Sequence, residues 1–263
     1  MKRIFLFFPP ILLVLVSLAC QVAIPNVVTG SGTVDTDTRE VSNFDAISLE
    51  NMGDVYITVG NTEELTIEAE DNLLPLLTSD VENSVLKLDV VRGSNIDPTK
   101  PITYNLTVKD LKDITLAGSG AINSAPLEAD RMTVMLAGSG NIQLEGVTCT
   151  DFKVSIAGSG NIQVDEIVSE RIDAEIDGSG DIQLAGEAPI QELDVFGSGS
   201  YLAGDLQTET MDINIAGSGN VTVWVMEHLN AAINGSGDIS YYGRPTIDHS
   251  DNGSGILRSL GEK

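Results

Sequence analysis

A Gly-Ser-Gly tripeptide recurs eight times in the second part of this chain, at Gly118 to Gly120, Gly138 to Gly140, Gly158 to Gly160, Gly178 to Gly180, Gly197 to Gly199, Gly217 to Gly219, Gly235 to Gly237 and Gly253 to Gly255. Successive first glycines are 18 to 20 residues apart. A period near twenty, with strand-like residues on both sides of each turn, is the signature of a solenoid whose coils stack into one core. Glycines at the turn allow positive φ and close approach of one coil's backbone to the next, where a Cβ would collide.

The flanking residues alternate as strands require. Counting outward from the corners, the second and fourth residues before them are apolar, as in Leu116 and Ile114, Leu136 and Val134, Ile156 and Val154, and so on to Ile233 and Ala231. The second residue after each corner is Ile122, Ile142, Ile162, Ile182, Tyr201, Val221 or Ile239. These positions are expected to point inward, with the Thr, Ser, Asn, Gln, Asp and Glu between them facing water. The residues directly after the corners, among them Asn141, Asn161, Asp181 and Asn220, are expected to form a polar ladder. In the last coil, His249 and Asp251 stand where core residues belong, as a terminal cap would need.

Ahead of the repeats, residues 41–112 read as a less regular β-rich region. Val55, Ile57 and Val59 alternate with polar partners, as do Leu65, Ile67 and Ala69. Asp71 followed by Leu73, Leu74, Leu76 and Leu77 predicts one short helix over Asn72 to Thr78. Residues 113–263 are assigned to the Gly-Ser-Gly repeat solenoid with its polar C-terminal cap. The fold class is therefore all-β.

The N-terminus carries Lys2 and Arg3, then an apolar run from Ile4 to Ala19, ending in Ser17-Leu18-Ala19-Cys20. That is the layout of an export signal over residues 1–19, and the run is too short, and too disturbed by Pro9-Pro10, for a lasting transmembrane helix. The small residue before Cys20 resembles a bacterial lipobox, although Ser17 stands where Leu is usual. Cys20 is accordingly expected to be acylated and to anchor the chain to a membrane of the cell envelope, outside the cytoplasm, with residues 20–40 as a polar tether. Cys149 is the only other cysteine, so an acylated Cys20 leaves no intramolecular disulfide.

The 263 residues carry 14 basic and 39 acidic side chains, a formal charge of −25. Such a surface repels nucleic acid and other polyanions.

The stretches Asn43-Phe44-Asp45-Ala46-Ile47 and Gly53-Asp54-Val55-Tyr56-Ile57, with the repeated Gly-Ser-Gly followed by Asn or Asp and Ile, resemble the head GIN domain family of auto-transporter adhesins from Val41 to about Gly255. The resemblance implies a right-handed parallel β-helix-like solenoid of two sheets joined at glycine turns, and a role in cell adhesion. It supplies no catalytic or binding residues.

An enzyme must therefore be read from this chain alone. His228 and His249 are the only histidines, no Ser, His and Asp set is evident, and between Ile114 and Gly255 the only basic residues are Arg131, Lys153, Arg171 and Arg244, which form no cationic patch to handle anionic sugars. No catalytic residue and no cofactor is expected. Asp173, Glu175, Asp177 and Asp181 form a weak calcium candidate, since one coil presents them outward, but the period is not that of calcium β-rolls and no dedicated metal cage is expected. Phe196 and Trp224 fall on outward positions and are candidates for a binding face toward a surface glycan or protein. A non-catalytic, lipid-anchored binding or adhesion module is the leading reading; a structural envelope scaffold is the alternative, and a carbohydrate-active β-helix enzyme is disfavoured. The oligomeric state is left open.

Overall fold

The computed structural model describes residues 27–263; the export signal, Cys20 and the start of the tether lie outside the described residues. Strands stack in parallel rungs, as the period predicts. On the face approaching the corners, Asp113–Leu116, Arg131–Leu136 and the segments that follow pair in strict register, Ile114 with Val134, Val134 with Val154 and Val154 with Ala174. On the face leaving the corners, Ala121–Ser124 pairs with Asn141–Leu144, so that Ile122, Ile142, Ile162 and Ile182 form one row. A third, shorter face returns the chain, with Leu127 beside Val147 and Val147 beside Ile167.

All the inward positions named from the repeat are buried, Leu116, Leu136, Ile156, Ile176, Val195, Ile215 and Ile233 among them. Each such side chain removed from water contributes roughly 1.5 to 3 kcal/mol, and the rows make these contributions continuous along the axis. The polar rows outside are hydrogen-bonded as ladders. Asn161 Nδ2 donates to Asn141 Oδ1 at 3.3 Å, and the Ser200 backbone N–H donates to Asp181 Oδ1 at 2.7 Å.

The corners stack backbone on backbone. The Ser139 N–H donates to the Gly118 carbonyl at 3.2 Å, Ser159 to Gly138 at 3.0 Å, and Ser179 to Gly158 at 2.8 Å. A Cβ on Gly138 would lie 2.1 Å from the Gly118 oxygen, and one on Gly158 2.1 Å from the Gly138 oxygen. Of the Gly-Ser-Gly glycines only Gly178 has a φ in the left-handed range, at +150°. Close approach, rather than positive φ, is thus what selects glycine here.

Coil lengths of 19 and 18 residues are absorbed away from the corners. Between the strands running through Val164 and Leu184 the register shifts at the return, where Gly186 adopts φ +127°. A second shift follows Ala203, which pairs with Val223, while Gln207 pairs with Trp224.

The N-terminal part is built into the same stack. We label its strands β1 (Val27–Thr29), β2 (Val34–Arg39), β3 (Ala46–Leu49), β4 (Asp54–Val59), β5 (Glu64–Glu70), β6 (Leu77–Glu82), β7 (Val85–Val90), β8 (Asn95–Asp97) and β9 (Thr103–Val108). β3 pairs in parallel with Asp113–Leu116, and β4 with Ala121–Ser124. Asn51-Met52-Gly53 between them acts as a further corner, since the Ser119 N–H donates to the Asn51 carbonyl at 2.9 Å and the Ala121 N–H to Gly53 at 3.0 Å. β7 and β9 form the next rung out, and antiparallel β6, β5 and β2 close that end.

Two expectations are corrected here. The helix over Asn72 to Thr78 is only a 3-10 turn, Leu74–Leu76, because Leu77 already starts β6 and its ladder to β7 outcompetes a helix of barely two turns. Asp71 does not cap it; its carboxylate accepts from Ser31 Oγ at 2.5 Å. The tether does not extend to residue 40, because β1 pairs with β8 and β2 with β5. Glu70 clasps this segment: its buried carboxylate accepts from the backbone N–H of Gly32 at 2.6 Å, and from the N–H and hydroxyl of Thr99 at 2.8 and 2.6 Å. Arg39 donates to the carbonyls of Leu77 and Leu74 at 2.6 and 3.0 Å, satisfying the turn that the helix does not continue.

Two predictions follow from corner and clasp. Gly158→Ala is expected to lower stability by about 1 to 3 kcal/mol in thermal or urea unfolding, whereas Gln183→Ala on the solvent side leaves the transition nearly unmoved; equal shifts would contradict backbone-limited corners. For Glu70, burial raises its carboxyl pKa, but the hydrogen bonds from Thr99, Gly32 and Lys100 outweigh burial and hold it below the ordinary value. Its contribution is present above the ordinary glutamate range and is lost as pH falls through the depressed value. The unfolding midpoint should therefore drop more steeply with acid in the native protein than in Glu70→Gln.

Candidate ligand groove

The return face carries two depressions. Two adjoining hollows, about 800 Å³ and about 600 Å³, share Asp110, Leu111, Glu128, Thr148 and Val168 as lining. They form one open groove that crosses successive coils along the solenoid axis.

Its outward row runs Glu128, Thr148, Val168, Glu187, each beside the next in register. Val168 stands 49% exposed at the middle. The floor is apolar, with Leu111, Leu127 and Val147 buried beneath it. Small polar groups hold the turn from the return face to the approach face. Ser169 Oγ lies 3.0 Å from the Thr150 carbonyl and 2.9 Å from that of Arg171, while Thr208 Oγ1 donates to the Ala188 carbonyl at 2.6 Å. Cys149 is buried in this row with its sulfur 3.7 Å from Ser169 Oγ. Burial pushes its thiol pKa up, against a small opposite pull from Ser169, so it has the character of a packed rather than a nucleophilic cysteine.

The rim is acidic: Asp110, Glu128, Asp130, Glu145, Glu166, Glu170 and Glu187 line the two hollows. Lys109 and Lys112 stand at one end, and both are engaged by carboxylates of the N-terminal region, Glu63 at 3.2 Å and Asp45 at 2.9 Å. The hydrogen bond and charge of Asp45 raise the Lys112 pKa further, so it stays an ammonium. The groove therefore offers an apolar base between negatively charged edges, which suits a neutral or cationic extended ligand.

The residues singled out from the sequence are not in this groove. Phe196, 48% exposed, precedes a corner on the approach face, its N–H bonded to the Ile176 carbonyl. Trp224 lies beyond a corner, beside Gln207 and Tyr242, and is partly buried. The corner separates the two, so they do not make one face. Asp173, Glu175 and Asp177 alternate along one strand with about 7 Å between neighbours. Asp173 faces Lys153 at 3.6 Å, and Asp181 beyond the corner is bonded to the Ser200 N–H. Among the described residues no group of three or more His, Cys, Asp or Glu converges as a metal site. His228 and His249 are exposed, on neighbouring coils. The negative charge was legible in the sequence; the concavity of the return face was not, because it depends on how segments far apart in the chain lie beside one another.

The fold is shared with solved structures. A putative adhesin from Parabacteroides merdae matches with TM-score 0.85 at 24% identity, over 89% of this chain and 99% of that one. A putative adhesin from Parabacteroides distasonis matches with TM-score 0.84 at 23% identity, over 89% and 100%. A putative lipid binding protein from Parabacteroides distasonis matches with TM-score 0.81 at 27% identity, over 89% and 99%. No curated protein matches the chain. One family model matches twice, over residues 43–165 and 134–245, as a chain of stacked similar coils allows. Those spans cover well over half of the sequence, and the chain belongs to the family described as putative auto-transporter adhesin, head GIN domain.

Proposed function

We propose that this protein is an exported, lipid-anchored binding module of the adhesin type, which holds an extended surface ligand along the groove of its return face without turning it over. The observation that carries the reading is the groove itself: an open, apolar-floored channel parallel to the axis, with acidic edges and with its two lysines bound elsewhere. A rigid solenoid repeats such contacts from coil to coil, and many weak contacts held in fixed spacing gain affinity together. Family membership supports an adhesive role. The name of the 27% identical Parabacteroides distasonis relative adds lipids to the ligands worth testing. The partner class is a neutral or cationic surface glycan or polypeptide; the charge of −25 disfavours nucleic acid.

Two experiments test this. The soluble fragment from Gln21 onward, applied to an array of glycans and matrix proteins, should retain neutral or cationic members, and Val168→Ser should weaken that retention by about tenfold while leaving the fold intact. Retention unchanged by the substitution would remove the groove from the reading, and shortened polysaccharide chains after incubation would replace binding by catalysis. For the anchor, Cys20→Ala is expected to move the protein from the membrane fraction to the soluble fraction, since no described helix is long and apolar enough to cross a membrane. Persistence in the membrane after an alkaline wash would mean that another element holds it there.

A further inference from the structure

Near the C-terminal end of the stack, an ammonium group is seated in a site made by three coils. The Lys263 Nζ lies 5.5 Å from the ring centroid of Trp224 and 5.2 Å from that of Tyr242. It also donates to the Gly204 carbonyl and to the Asp205 carboxylate. Both rings are within the roughly 6 Å over which a ring quadrupole attracts a cation, and the two oxygens take two of the three ammonium protons.

The fold builds this seat independently of Lys263. Trp224 and Tyr242 are register partners on adjacent strands, so their rings stand side by side. Gly204 and Asp205 belong to the segment between Ala203 and Gln207 where the ladder to the Trp224 strand is interrupted, which frees the Gly204 carbonyl to face outward. Such irregularities re-aim groups at rims and binding sites. A side chain at Gly204 would press within 3.1 Å of Thr222 and 3.4 Å of the Tyr242 ring. Beside the seat a hollow of about 280 Å³ has a mixed lining, with Ala185 and Leu202 beside Gln183 and Thr222, which leaves room for an aliphatic stem.

We propose that Trp224, Tyr242, Asp205 and the Gly204 carbonyl form a recognition site for the lysine side chain of a partner polypeptide, and that Lys263 occupies it as an internal competitor. The contact is readily displaced. The Asp205 side chain is 78% exposed, and ion pairs in such settings contribute little. A tethered group competes with an effective concentration of about millimolar order, so a single external lysine reaches the native site only weakly, while a multivalent surface overcomes the tether. The net charge of −25 draws cationic partners toward it. The site is separate from the return groove, and neither assignment depends on the other.

Trp224 is the only tryptophan in the sequence, so its fluorescence reports this site alone. The full chain in detergent is titrated with Nα-acetyl-lysine amide, in native form and as Lys263→Gln, with circular dichroism confirming retained β structure. Lys263→Gln by itself should change the Trp224 emission, and the amide should reverse that change in the variant while leaving the native emission, where Lys263 already fills the seat, nearly unmoved. Adding Asp205→Asn to Lys263→Gln should weaken the response by about threefold, as an exposed ion pair allows. Glucosamine, an ammonium without a flexible stem, should be a poorer ligand. The proposal is overturned if Lys263→Gln shows no response up to about 50 mM amide, well above the tether's effective concentration. It is equally overturned if Asp205→Asn leaves the response unchanged, or if glucosamine matches the lysine amide.

Discussion

The structure depends on how closely two backbones can pass at the corners. From Ser139 onward, each serine N–H of a Gly-Ser-Gly corner donates to the carbonyl of the first glycine one coil earlier, as Ser119 does to Asn51, and the same carbonyl oxygen lies where the Cβ of any residue replacing the corner's own first glycine would be. The hydrogen bond and the exclusion act together. They hold successive corners at the interstrand spacing, and because side chains alternate, they decide which residues of the approaching and leaving strands face inward. A slip of one residue at a corner would send a whole row of Ile, Leu and Val to water. The corner row is therefore held fixed, and changes in coil length are displaced to the return, where register shifts near Gly186 and after Ala203 absorb them.

A solenoid with fixed rungs still has two ends with unpaired strand edges, and this chain closes them by different means. At the N-terminal end, the direction of the strands reverses: β5 runs antiparallel to β9, β2 to β5, and β6 to β7, which makes this end unlike any coil. The buried Glu70 ties this closure together by accepting hydrogen bonds from two separate loops. At the C-terminal end the last rung stays parallel, and the closure is chemical. Thr246–Asp251 is exposed throughout, with His249 and Asp251 in line with the buried Ala231 and Ile233 of the preceding coil. Polar side chains there remove the reward for adding a further rung.

The repeated coils were legible because their rules are local and recur. Glycine spacing gave the corners, and alternation around each corner gave the inward residues, down to Tyr201 in a row otherwise of Ile and Val. The N-terminal region was read less well because its rules are not local. Asn51-Met52-Gly53 serves as a corner with only one glycine, which a search for Gly-Ser-Gly passes over. β2, with the sequence Val-Asp-Thr-Asp-Thr-Arg, carries almost no apolar signal, since it is held by ladder bonds and by clasping side chains from residues far away in the chain. The run of leucines from Leu73 to Leu77 reads as a helix face in isolation, but it is used to cover the end of the core while the backbone turns into β6. Of the site, charge was visible and shape was not: Phe196 and Trp224 are both outward residues, yet a corner stands between them.

The same division separates the parts of the coil that can carry function from those that cannot. At a corner both glycines are excluded from bearing side chains and the backbone groups are used by the neighbouring coil, so the most repetitive row of the molecule has little left with which to recognise anything. The approach and leaving faces alternate strictly, and their outward residues are largely used in ladders between coils, as in Asn214 to Asp194 and Asn230 to Asp212. Only at the return is register relaxed, and there the chain has its grooves, its interrupted ladders and its outward carbonyls. The aromatic seat lies beside the interruption after Ala203, and the acidic groove runs along the return of the middle coils as far as the register shift near Gly186. The corner's rigidity is what permits this freedom: with alignment secured on one side of the coil, the other side can change length and composition without disturbing the core.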